Sequence, residues 1–314
     1  MKAWTYDRYG DRSVLRLTEQ PTPTLGPGEV LVKVRRAALN PKDALFRKGK
    51  FRPFSGRRFP KFVGLDAAGV VHESRSPRFA AGQRVFGFLQ EWTFARGTVA
   101  DFARFKEGEL APTPLALDDD TAAALPLATL TSLQALREQG EVRPGQRVLI
   151  NGASGGVGTT AIQLAKVLGA EVHTVSSDAN TALCRELGAD RAWSYPAHGW
   201  KQEPPFDVIF DVFGNLDFAA SRAHLAPKGR FISTVPTLAR GVKEGLARLL
   251  SVGAERLVVV QPRTNDLLEL AALVEARRLR VLIDARFAFE DTLRAFERLE
   301  SKRTRGKLLI DVSD

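Results

Sequence analysis

The sequence predicts an α/β protein in which a β-rich opening third is followed by a doubly wound parallel sheet. Three observations predict it. Short strand-like runs punctuated by proline and glycine fill residues 1 to about 118, and strands alternate with helices from Gly145 onward. Between the two, the stretch Arg147 to Gly169, RVLINGASGGVGTTAIQLAKVLG, reads as a strand, a glycine turn and a helix in immediate succession.

In the opening third, the runs Val30 to Val34, Gly69 to His72 and Arg84 to Phe88 are separated by PTPTLGPGE, RKGKFRPFSG and SRSPRFAAGQ. That punctuation suits a small barrel or sandwich. Asp118 to Asp120 form a charged boundary able to seed a helix, and TAAALPLATLTSLQAL then reads as a buried helix pair interrupted at Pro126. Strands are expected at 147–151, 171–175, 191–194, 207–212, 229–235 and 256–260, with helices after the first, second, fourth and fifth. A further amphipathic helix at 265–280, the run RVLIDARF, a helix at 290–300 and the strand LLIDV close the chain and return to the first domain. The domains expected are therefore 1–118 with 262–314, and 119–261.

The glycine turn carries the first chemical signal. Val148, Leu149 and Ile150 form the apolar run of a buried parallel strand, and Gly152, Gly155, Gly156 and Gly158 free the backbone where it must turn into a helix. Backbone N–H groups and the positive end of the helix dipole then point out of one turn, a field that suits a pyrophosphate. The register is A-x-G-x-x-G, because Ala153 stands at the first glycine position, with Ser154, Gly155, Gly156, Val157 and Gly158 completing the turn. A second strand, Glu171 to Val175, follows the helix, as dinucleotide binding requires.

The end of that second strand bears on which cofactor is used. An acid about 20 residues past the turn would take ribose hydroxyls and repel a 2′-phosphate. Here Ser176 and Ser177 stand instead, which favours NADPH; Asp178, one residue on, either points inward or caps the next helix.

Composition excludes other classes. The chain has 314 residues, 44% of them hydrophobic, with no apolar run of membrane-spanning length and no apolar N-terminal stretch, so a cytoplasmic protein is expected. The one cysteine, Cys184, precludes an internal disulfide or a cysteine-based zinc cluster. A formal charge of +10 reflects an arginine-rich composition, yet Arg47, Lys48, Lys50, Arg52, Arg57 and Arg58 cluster between Lys42 and Lys61 with only Asp43 opposing them.

Several motifs in order, PGEVLVKVRRAALNPKD, FPKFVGLDAAGVV, LTSLQAL, RVLINGASGGVGTTAIQLAK, LGAD and GKLLIDV, make the chain resemble the zinc-independent quinone oxidoreductases, the zeta-crystallin-like branch of the medium-chain dehydrogenase/reductase superfamily. The resemblance implies a GroES-like first domain completed by the C-terminal segment, a Rossmann domain, and an active-site cleft between them. Zinc relatives carry cysteine where Asn40 stands and G-H-E where Gly64, Leu65 and Asp66 stand, so no metal site is expected. The chemistry implied is hydride delivery from NADPH to a quinone or to the β-carbon of an α,β-unsaturated carbonyl.

By resemblance, Asn40 and Asp43 of NPKD lie near the nicotinamide and cleft floor, and Thr131 lies beside the nicotinamide. Each also has a structural use: Asn40 in a turn, Asp43 as a helix cap, Thr131 bonding its own helix. Ser176, Ser177 and Asn180 are the 2′-phosphate contacts carried over, with Arg185 a substitute for the lysine many relatives have at Asn180, and Tyr195 is an adenosine-side contact. Where relatives place a tyrosine after NPKD, this chain has Phe46, Phe51 and Phe54, which can line an apolar substrate cleft but cannot donate a proton; water is then the proton source for an enone. Two alternatives remain: an enoyl-thioester reductase whose basic 47–58 stretch receives phosphates, and a nucleic-acid-binding or structural protein, which the lack of an RNA-binding module disfavours. A homodimer is expected through pairing of strand Leu257 to Val260.

Overall fold

The computed structural model describes residues 1–195, 197, 199–235 and 255–313. The chain divides into two compact units, one formed by Met1–Leu130, Gln261–Arg277 and Val281–Asp314, the other by Thr131–Val260 and Arg278–Arg280. The first is the GroES-like unit and the second the Rossmann-like unit, as the sequence predicts.

Among the described residues, the first unit carries a seven-stranded sheet in which β3 (Glu29–Leu39) pairs antiparallel with β5 (Asp66–Ser74), and β5 with β6 (Arg84–Phe88). The run predicted at 30–34 is thus the first half of a longer strand, because Ala37, Ala38 and Leu39 continue the buried face. The last strand, β16 (Lys307–Asp311), pairs antiparallel with β3, setting Leu308 opposite Leu39. A separate three-stranded sheet is built from β2 (Arg16–Glu19), β1 (Lys2–Tyr6) and β4 (Lys61–Phe62). Helix α1 (Pro41–Arg47) follows β3 directly, with proline at its first position, where a missing N–H costs nothing.

The passage between units falls at Leu130–Thr131 rather than at 118. The aspartate run explains the difference. Asp118 caps α3 (Asp119–Ala124) by accepting from the Thr121 amide at 2.7 Å, while Asp119 takes Arg84 at 2.6 Å and Arg35 at 3.2 Å, and Asp120 takes Arg36 at 3.0 Å. These ion pairs tie the helix to β3 and β6. The predicted break at Pro126 is present, with α4 (Pro126–Gln134) starting there.

The second unit is a six-stranded parallel sheet in the order β11-β10-β9-β12-β13-β14, built from β9 (Arg147–Asn151), β10 (Glu171–Ser176), β11 (Arg191–Ser194), β12 (Phe206–Asp211), β13 (Leu225–Ser233) and β14 (Glu255–Leu257). Leu149, Val175, Trp200, Phe206, Ile209 and Phe231 form a buried cluster against it. The order reverses between β9 and β12, so the carboxyl ends of these strands form the switch point where such sheets bind ligands. The strand predicted at 256–260 is shorter, ending at Leu257, and Val259 is exposed. The helix predicted after the fifth strand lies outside the described residues. Near the C-terminus the predicted helices appear as Thr264–Glu275 and Thr292–Glu300. Among the described residues, no helix is long and apolar enough to cross a membrane.

Candidate active site

In the second unit, β9 runs through Gly152 and the turn into helix α5 (Gly156–Val167), whose N-cap is Gly155 and which has no side-chain cap. Its first N–H groups therefore have neither an intrahelical acceptor nor a capping side chain. Two glycines are held by geometry. Gly152 has φ +83°, and a Cβ on Gly158 would lie 2.4 Å from the Gly152 carbonyl oxygen and 2.6 Å from Ala153 Cα. The missing Cβ lets the start of α5 pack directly against the turn. Ala153 is buried, whereas Ser154, Gly155, Gly156 and Val157 retain surface. Ser132, which sequence reasoning missed, donates its hydroxyl to the Val157 carbonyl at 2.8 Å and so fastens α4 to the start of α5. Thr131, the residue before it, is 5% exposed.

At the end of β10 the structure brings Ser176, Ser177, Asn180 and Tyr195 toward that turn by strand order and hydrogen bonds. Ser176 is buried and its hydroxyl donates to the Ser177 carbonyl, while Ser177 is half-buried. The Asn180 amide donates to Ser154 Oγ at 3.0 Å, and its Oδ1, in a side chain 9% exposed, has no partner among the described residues. An orphaned buried amide oxygen beside the turn is a cost that a ligand donor can remove, or a flipped amide can present an N–H there instead. Tyr195, 52% exposed, follows β11 and donates its amide to the Ser176 carbonyl. Asp178 is exposed and Arg185 is exposed with its guanidinium on the Ala192 carbonyl. Cys184 is buried against Ser176, and burial pushes its thiol up.

The switch point holds a second group that no sequence pattern announced. Asn151 donates to Asp211 at 2.8 Å and to Asn215 at 2.7 Å, and the buried Asp211 carboxylate also accepts from the amides of Gly214 and Leu216. These bonds fix the loop after β12 beside the glycine turn.

In the first unit, Asn40 and Asp43 enter a buried polar cluster. The Asp43 carboxylate accepts from the Asn40 amide at 2.8 Å and from the Gly64 amide at 2.9 Å; burial, opposed by these bonds, pushes its pKa up to about 6. The Asn40 side chain donates to Asp66 at 2.9 Å and accepts from the Lys307 ammonium at 2.5 Å, and Lys307 also reaches Asp66 at 2.8 Å. Asp66 is fully buried and Lys307 is 4% exposed. A lysine at this depth persists because its charge is paired and hydrogen-bonded. The pairing of β16 with β3 brings Lys307 there, and Asp66 takes one more bond from the Leu127 amide.

That donor set does not fit catalytic zinc. One carboxylate, one amide and Leu65 stand where a metal would need three anionic or imidazole ligands, and an ammonium already lies within 3 Å of both polar groups. The described residues contain no cluster of three or more histidine, cysteine or acidic side chains able to hold a metal.

The three phenylalanines differ. Phe46 is 1% exposed, packed between Phe51 at 4.8 Å and Phe94 at 4.7 Å; Phe51 is half-buried; Phe54 is 66% exposed.

Residues 26–115 match the alcohol dehydrogenase GroES-like domain family and residues 187–310 the zinc-binding dehydrogenase family. A mitochondrial NAD(P)H oxidoreductase of Homo sapiens (RTN4IP1) is 31% identical over 99% of this chain and 89% of its own length. A chloroplastic NADPH-dependent alkenal/one oxidoreductase of Arabidopsis thaliana is 32% identical over 99% and 79%. The solved structure of a quinone oxidoreductase from Coxiella burnetii is 32% identical, with a TM-score of 0.91 and coverage of 100% and 99%. The chain belongs to the medium-chain dehydrogenase/reductase superfamily, in the branch that holds quinone oxidoreductases and enone reductases. It is an oxidoreductase.

Proposed function

We propose that the protein delivers hydride from NADPH to a quinone or to the β-carbon of an α,β-unsaturated carbonyl, with no metal taking part. The observation that carries this reading is the uncapped start of α5 behind a glycine whose Cβ the backbone excludes. NADPH, when bound, supplies the hydride. Ala153, Ser154, Gly155, Gly156, Val157 and Gly158 then hold the pyrophosphate with backbone N–H groups and the helix dipole. Ser177 and Asn180, both uncharged, face a 2′-phosphate beside the exposed Asp178, the Ser176 hydroxyl bonds the Ser177 carbonyl, and Tyr195 walls the adenosine. Thr131 contributes beside the nicotinamide ring.

Asn40 and Asp43 are read as positioning residues, since their polar atoms hold α1, Asp66 and Lys307 in place. Phe51 and Phe54 offer apolar surface to a substrate, more than Phe46 does, and no phenylalanine supplies a proton, so water protonates the reduced product. The alkenal/one oxidoreductase of Arabidopsis and the quinone oxidoreductase of Coxiella, both similar to this chain, support both acceptor classes. A homodimer through the sheet edge at β14, and a cytoplasmic location, belong to the same reading.

The test is optical: oxidation of NADPH and, separately, NADH by the purified protein with a simple quinone and with a short enone. Turnover with NADPH at a kcat/KM at least about tenfold above that with NADH is expected. Equal rates would remove the cofactor assignment, and no turnover with either acceptor would remove the substrate assignment.

A further inference from the structure

Six cations of the basic run between Lys42 and Lys61 separate into two groups once their side chains are placed, with the exposed Lys50 and Arg58 outside both. Arg47 is fully buried and bonds Glu300 and the Gly10 carbonyl; Lys48 lies 2.9 Å from Glu300. Lys61 is 1% exposed and donates to the Ser55 and Thr93 carbonyls at 2.6 and 2.7 Å. Lys42 rests with its ammonium 4.4 Å above the Trp92 ring. These four cations serve the first unit's own packing.

Arg52 and Arg57 do not. Both are exposed, and together with Arg8 they line a cavity of about 760 Å³ shared with Tyr9, Pro53 and Phe59. Among the described residues, none of these three guanidiniums has a carboxylate within ion-pair distance. Three cations brought together without an anion repel one another, an arrangement that an incoming anion relieves. The cavity also has a fixed floor. The Tyr9 hydroxyl bonds Ser55 Oγ at 2.7 Å and donates to the Gly56 carbonyl; its ring meets Phe59 edge-on at 5.2 Å. The Arg52 guanidinium lies 4.9 Å from the Tyr9 ring, and the Lys61 ammonium lies 5.4 Å from the Phe59 ring. Gly49, at φ +73°, allows this approach: a Cβ there would lie 2.5 Å from Arg52 Nε and 3.1 Å from Tyr9 Cγ.

We propose that this cavity binds a nucleoside phosphate, the phosphate on the guanidiniums of Arg8, Arg52 and Arg57 and the base against Phe59, Tyr9 and the Arg52 plane. Guanidinium forks match phosphate oxygens two at a time, and planar cations and aromatic rings stack on a heterocycle. The volume falls within the range of about 300–1,000 Å³ usual for small-ligand sites. All six lining residues fall between positions 8 and 59, and they enclose one site rather than a stripe, which favours a mononucleotide-sized group over a nucleic-acid strand. The proposal goes beyond the hydride chemistry above and does not need it, because the lining residues include none of those assigned to the dinucleotide.

The experiment is calorimetric titration of the full-length protein with AMP, with coenzyme A and with inorganic phosphate, in the presence of saturating NADPH so that the dinucleotide turn is filled. NADPH is titrated first, so a failure of the cofactor assignment registers separately. Binding of AMP or coenzyme A, weakened about tenfold or more by Arg52→Glu with Arg57→Glu while NADPH affinity is unchanged, is expected. The exposed substitution Arg8→Ala should weaken it by a smaller factor. Whichever of AMP and coenzyme A binds more tightly identifies the source as a free nucleotide or the phosphoadenosine end of a thioester. No binding by the unaltered protein, undiminished binding by the double variant, or inorganic phosphate binding as tightly as either nucleotide would overturn the proposal. So would retention of single-stranded RNA without mononucleotide binding, which would mark a strand-binding surface instead.

Discussion

Two helices of this protein begin at turns that carry candidate site residues, and they begin in opposite ways. Helix α1 starts from NPKD and satisfies its own entrance: the Asp43 carboxylate takes the Asn40 amide and reaches on to Gly64. Helix α5 starts from GGVG and has no capping side chain at all. A helix start satisfied from within holds structure together; one left open and lined by glycine is shaped for an anion from outside. The charges follow the same division. Beside α1, the buried Lys307 bonds both Asp66 and Asn40, whose amide is held by the buried Asp43, while the side chains bonded at the start of α5 and its turn, Ser132, Ser154 and Asn180, carry no charge.

Removing the internal cation should have the largest effect. Lys307→Met leaves Asp66 buried without its ammonium and should lower unfolding free energy by about 3–5 kcal/mol in chemical denaturation. Adding Asp66→Asn in the same chain should recover much of that loss; a double variant as unstable as the single one would mean the pair matters for packing rather than charge. On the open side, Gly158→Val places side-chain atoms where the Gly152 carbonyl stands. NADPH affinity should fall about 100-fold or more by fluorescence titration, with circular dichroism retained. Unchanged affinity would dissociate the glycine turn from the cofactor.

The pH response of the closed side comes next. Asp43 has its pKa raised, mainly by burial, to about 6. The folded state therefore holds the proton more tightly than the unfolded chain, so this stabilising contribution is complete below the ordinary aspartate value and is lost as pH rises toward 6. Between about pH 4 and pH 6 the unaltered protein should lose up to about 3 kcal/mol relative to Asp43→Asn. A stability difference that stays flat across that window would show that Asp43 keeps an ordinary pKa. Smallest is Ser177→Asp, which sets a carboxylate beside the expected 2′-phosphate; the NADPH-to-NADH affinity ratio should drop about tenfold.

The succession of strands and helices along the chain, the glycine turn and the serines at the end of β10 were legible because each is a local pattern: period, glycine spacing, and the residue type at a strand's end. Boundaries were less so. The aspartates at 118–120 read as a domain boundary that could seed a helix, and they do start α3, but they also hold it to β3 through Arg35 and Arg36, partners more than eighty positions away. Ser132 gave no signal because a serine in a helix has many uses, and only packing of α4 on α5 aims its hydroxyl at Val157. Asn151 and Asp211 were read only as strand ends, since the bond between them depends on β9 and β12 lying side by side.

By itself, the sequence determined the two-part architecture, the glycine turn between strand and helix, and the superfamily, because alternating strands, glycine conformational freedom and ordered motifs are properties of contiguous residues. Tertiary structure alone decided what the charges do. Nothing in the sequence separates Lys61 and Arg47, buried and bonded, from Arg52 and Arg57, left facing an open cavity, or shows that Lys307 at the end of the chain neutralises Asp66 near its beginning. A side chain's charge is written in the sequence, but its cost or use depends on burial and partners, and those are set by which distant strands pair.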